Sequence, residues 1–143
     1  MSGIRVKLRL DYAGYGKQGK LFGNKNVEQM AEEIRQHKAS LLRNVPTQGI
    51  YIEDVDMSGE VYTVYEEIGR KTVAYAPVLI TFCADSIEDA IKFSMKDEFR
   101  TVEILEPESI TLSKYDLARL LFKVNEELMS YKEYMLNKIN NWK

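Results

Sequence analysis

The sequence predicts an α+β protein: one antiparallel sheet with helices on one of its faces, followed by a long amphipathic helix. Three patterns carry that expectation. Ile4, Val6, Leu8 and Leu10 alternate with Arg5, Lys7, Arg9 and Asp11, the period-two signature of a strand with one buried and one wet face. Between Gly49 and Cys83, Tyr, Val, Ile and Thr are dense, broken only by the turn signals Ser58-Gly59 and Gly69-Arg70-Lys71, as in a β-meander. Beyond Ser113, apolar residues recur at helical spacing.

The first strand leads into residues 13–23, which hold four of the eight glycines and are expected to form a loop. A helix then starts at Asn26, a good N-cap with Gln29 at the capping-box position, and carries Val27, Met30, Ala31, Ile34, Leu41 and Leu42 on one stripe. Asn44-Val45-Pro46 ends it. In the third run of the meander, Pro77 removes a ladder donor, so that strand is expected to start late, to kink or to lie at an edge. Asp85-Ser86 caps a second helix with Ile87, Ala90, Ile91 and Met95 on one face, closed near Phe99. Residues 101–105 form a last strand, Pro107 stops it, and Ser113 with Asp116 caps the terminal helix over residues 113–143. The order β-α-β-β-α-β plus a helix is that of ferredoxin-like, split-βαβ folds. Other α+β strand orders fit the same element sequence.

The 143 residues are expected to form a single domain spanning 1–143, since a chain of this size can bury a sizeable core without staples. Hydrophobic residues at 45% and charged residues at 29% exclude a disordered or fibrous class. The lone Cys83 cannot close an intramolecular disulfide and lies in an apolar run, which points to a reducing, cytoplasmic setting. The chain opens without an apolar leader core, and no stretch approaches the roughly 20 apolar residues of a membrane helix, so neither secretion nor a membrane is expected.

The net charge of -2 conceals an uneven distribution: +5 over residues 1–50, -9 over 51–110 and +2 over 111–143. Opposite patches of this kind suit self-association or separate partners.

Gly14, Gly16 and Gly19 spell G-x-G-x-x-G after a strand. A dinucleotide site needs the third glycine to open a helix and an acidic residue at the tip of the next strand, and neither condition holds. A looser reading joins Arg5, Lys7 and Arg9 to Tyr15, Lys17, Lys20 and Lys25, with Tyr12 and Phe22 nearby, as a basic, aromatic strip for nucleic acid. Against it, alternating Lys and Arg also simply solvate a strand, and the chain is acidic overall. Glu53, Asp54, Asp56, Glu60, Glu66 and Glu67 could gather around a hard cation, although carboxylates on a hairpin more commonly guard an edge. The solitary His37 sits in a polar run and excludes a multi-histidine site. No nucleophile elbow, Walker loop or activated-cysteine signature occurs. Neither a cofactor nor a metal is expected, and nothing positive supports an enzyme.

The terminal helix carries the strongest signal. Leu117, Leu121, Val124, Leu128, Tyr131 and Met135 follow heptad-like spacing, with Trp142 in the same register, and Leu120, Phe122, Met129, Leu136 and Ile139 widen the apolar surface. At roughly 1.5 Å per residue the helix would run about 40 Å, longer than a small sheet covers. The chain is therefore read as a non-enzymatic interaction or adaptor protein, a homodimer or a binder of a partner protein. Leu121, Val124, Leu128 and Tyr131 would lie in the interface, with nucleic-acid binding as the alternative. A helix packed wholly on its own chain is the competing arrangement.

Overall fold

The structure, a computed structural model, describes residues 3–15 and 26–141. In chain order these form β1 (Ile4–Tyr15), α1 (Val27–Asn44), β2 (Ile50–Asp56), β3 (Tyr62–Glu66), β4 (Lys71–Ala84), α2 (Ile87–Ser94), β5 (Phe99–Glu106) and α3 (Lys114–Asn140). The fold is α+β with a five-stranded antiparallel sheet. β4 is its axis: β1 pairs along one edge of it, while β2 and β3 share the opposite edge end to end. The path is β2-β4-β1-β5, with β3 beside the first half of β4.

The alternation in β1 sorts its two faces as the sequence predicts. Val6, Leu8 and Leu10 are buried with Val78, Ile80 and Phe82 of β4 beneath α1 and α2, and Phe82 meets the Phe93 ring of α2 edge-on at 4.7 Å. Arg5, Lys7 and Arg9 lie on the other face, which no helix covers among the described residues. Both long helices begin in complete capping boxes, Asn26 with Gln29 and Ser113 with Asp116, which satisfy orphan amides reciprocally.

Three boundaries differ from expectation, each for a local reason. β1 does not stop before Ala13; it continues to Tyr15, where Ala13, Gly14 and Tyr15 face Tyr75, Ala74 and Val73. Gly14 is a packing glycine. A Cβ there would stand 2.4 Å from the Val27 carbonyl oxygen and 2.5 Å from the Ala31 amide nitrogen, so the missing side chain lets α1 seat on the sheet. Pro77 lies in mid-strand, within a strand paired on both edges. It falls where the outer edge of β4 is vacant between β2 and β3, so its absent N–H breaks no ladder bond there. Arg35 of α1 fills that vacancy: its Nη1 donates to the carbonyls of Gly59 (2.7 Å) and Pro77 (3.1 Å), and Glu32 pairs with the rest of the guanidinium. Phe99 does not close α2. The helix ends at Ser94 and Phe99 opens β5.

Candidate self-association surface

α3 is a 27-residue helix with no buried residue. Asp116, Leu120, Lys123 and Glu127 are its only partly shielded positions, spaced on one face, and the element it rests on is α2. The helix therefore turns a mostly polar row toward its own chain. Leu121, Val124, Leu128 and Tyr131 lie round the cylinder from that row and are 41–64% exposed. Phe122, Met129, Leu136 and Ile139 continue the bare apolar arc. The arrangement of a helix wholly packed on its own chain is not the one found.

Local chemistry is enough to hold α3 helical. Beyond the capping box, Arg119 pairs with Asp116, and Lys123 Nζ pairs with Glu126 (3.0 Å) and Glu127 (3.4 Å), spacings that support a helix. The Asp116 carboxyl is held below the usual range by the Ser113 backbone amide, then by the Ser113 hydroxyl. A helix of this length with such pairs can persist without a core of its own.

A second bare surface lies beside the first. Across β1–β5, Leu10 faces Phe99, Leu8 faces Val102 and Val6 faces Ile104, and cross-strand partners share a face of the sheet. The β1 member of each pair is at most 1% exposed, while Phe99, Val102 and Ile104 are 40–49% exposed. The buried layer thus thins beyond β1, and the two-turn α2 packs chiefly on α3, β1, β2 and β4. Where the two surfaces approach each other, a cleft of about 640 Å³ is lined by Met95, Lys96, Phe99, Glu127, Leu128 and Tyr131, Phe99 being its contribution from β5.

Arg5, Lys7 and Arg9 share the open sheet face as the alternation requires, but neighbouring acids match their charge. Arg5 Nε pairs with Glu53 at 2.9 Å, and this bond, followed by the Cys83 thiol, lowers the Glu53 pKa. Arg9 donates two bonds to the buried Asp11, which also accepts from Tyr62 and pairs with Arg100 Nε at 3.3 Å. Arg100 lies over the Tyr75 ring at 4.8 Å, and Tyr62 stacks on Tyr75. Tyr15 ends the strand with Lys71 Nζ 4.7 Å from its ring centre. Lys17, Lys20 and Lys25 lie outside the described residues.

The carboxylates of β2 and the β3–β4 hairpin do not converge. Glu53 serves Arg5, Asp56 accepts from the Ser58 amide and hydroxyl, and Glu66 stands 3.9 Å from Lys71. Among the described residues no three His, Cys, Asp or Glu are grouped to hold a metal ion. His37 is exposed on α1. Burial, followed by the bond it donates to Glu53, raises the Cys83 thiol pKa, the opposite of nucleophile activation. A shallow cavity of about 460 Å³ between α1 and the α2–β5 turn is walled by Leu41, Leu42, Val45 and Phe93. At its rim, burial lowers the pKa of Lys96, whose Nζ lies 4.4 Å from the Phe93 ring centre; Glu98 opposes the shift and Lys38 adds to it.

No protein-family model matches this chain, and no curated protein or solved structure matches it either. The sequence reading singled out the α3 seam but missed two features. Phe99 belongs to β5 and not to the end of α2, and with Val102 and Ile104 it carries a strand-like apolar signal for the bare face of that strand. Nothing local in the sequence marks Arg35 as the plug of a sheet gap.

Proposed function

We propose that this chain is a non-enzymatic interaction or adaptor protein of the cytoplasm that self-associates through α3, with Leu121, Val124, Leu128 and Tyr131 in the interface. One observation carries the reading: α3 rests on α2 by a mostly polar row and leaves its heptad seam bare. An exposed apolar surface of that extent on a folded chain marks an interaction site. Among the described residues the charge-matched sheet face, the Cys83 thiol with its pKa raised by burial and the dispersed carboxylates favour this reading over an enzyme. The half-buried free thiol fits a reducing compartment. With β3 set aside as an addition to the outer edge, the path β2-β4-β1-β5 also supports a ferredoxin-like reading of the sheet. Removing residues 126–143 tests the function: a folded monomer is expected. Loss of the sheet's cooperative unfolding on truncation would make α3 part of the core and reject the reading.

Nucleic-acid binding is the second reading, favoured by the placement of Arg5, Lys7, Arg9, Arg100 and three tyrosines on one uncovered face. Salt-dependent retention on immobilised nucleic acid, lost when Arg5, Lys17 and Lys20 are changed to Gln, would support it. No retention of the wild type at low salt eliminates it.

A further inference from the structure

We infer that the occupant of the cleft between α3 and β5 is the α3 of a second copy of this chain, in a reciprocal arrangement where each copy's seam covers the other's Phe99, Val102 and Ile104. The inference rests on the self-association reading and names its partner surface.

The argument starts from complementary deficits. One chain presents an exposed apolar helix arc and a half-exposed apolar strand face, which approach each other at the cleft shared by Phe99, Leu128 and Tyr131. Its own α3 does not cover β5, because its shielded row sits on α2. A second copy brings the matching pair. Two-fold symmetry satisfies both at once, since residue i meeting j implies j meeting i. Size agrees as well: the half-exposed apolar residues of the α3 arc and β5 offer on the order of 1,000 Å² per chain, against roughly 800 Å² per partner in a standard stable interface.

The test is Val102→Thr with Ile104→Thr, which keeps β-branched side chains in the strand and removes apolar surface already half exposed in the single chain. By symmetry each substitution acts twice in a dimer. The dimer dissociation constant should rise at least about 100-fold with the melting of the sheet unchanged. Side-chain footprinting of the wild type gives a second readout: Phe99 and Ile104 should become protected as concentration brings the chain from monomer to dimer. Unchanged affinity and unchanged labelling in a chain that still dimerises would overturn this inference and leave self-association standing. An intact chain that stays monomeric removes both. A monomer whose Phe99 and Ile104 become protected only on phosphatidylglycerol vesicles assigns the surface to lipid and overturns the inference.

Discussion

Leu8 of β1 and Leu128 of α3 are the same side chain in opposite surroundings, the first 0% and the second 59% exposed. Around Leu8 the period-two pattern meets a second strand and two helices, and every apolar position finds cover. Around Leu128 a 3.5-residue pattern of comparable strength goes largely uncovered, because the row that α3 turns to α2 is Asp116, Leu120, Lys123 and Glu127. Apolar periodicity therefore marks which face of an element can be covered, and topology decides whether the chain itself supplies the cover.

That contrast can be broken most forcefully by equal truncations in the two regions. Leu8→Ala should destabilise the sheet by about 2 to 5 kcal/mol, since the cavity cannot collapse beneath two helices. Leu128→Ala should leave the sheet's unfolding within about 0.5 kcal/mol when measured on monomer, and should weaken the dimer by roughly 100-fold. Denaturant titration below and above the association range checks both, and equal effects of the two substitutions on monomer stability would erase the distinction.

Arg35→Ala sharpens the comparison from inside the body, because Arg35 is a polar residue on which the sheet relies. Removing it leaves the Gly59 and Pro77 carbonyls without their donor and should cost about 2 to 3 kcal/mol. The partner carboxylate of Glu32 is partly exposed and can rehydrate, which caps the loss. Chemical denaturation of the variant measures it, and a change no larger than that of a surface residue contradicts the plug.

The smallest effect is electrostatic. Glu53, Asp56 and Asp116 all have lowered pKa values, from bonds with Arg5, Ser58 and Ser113 respectively. Their contribution is fully present above the unfolded carboxylate pKa of about 4 and is lost as pH falls through the lower folded values. Melting temperature should therefore be flat near neutrality and decline only in acid. For Asp116 the decline should appear as loss of helicity at the start of α3, a change visible in circular dichroism.

Much of this architecture was readable in the chain. Alternation from Ile4 to Leu10 assigned each face of β1 because side-chain period alone decides it. Asn26 with Gln29 and Ser113 with Asp116 marked both long helices because capping is local chemistry. What escaped reading depended on residues far apart in sequence. Gly14 reads as one glycine of a connecting loop until Ala31 of α1 is placed above it, and Pro77 reads as a late start, kink or edge until the gap between β2 and β3 is seen opposite it. The seam residues Leu121, Val124, Leu128 and Tyr131 were legible from spacing. Their bareness was not, because it follows from which row of α3 rests on α2.

The central claim is that α3 is covered by another chain, and sedimentation equilibrium of the intact protein at high micromolar concentration tests it most directly. The account predicts a species of twice the 16.6 kDa chain mass that dissociates on dilution and is abolished by Leu121→Glu with Leu128→Glu, while the sheet still melts cooperatively. A single species at the mass of one chain across the whole concentration range would contradict it.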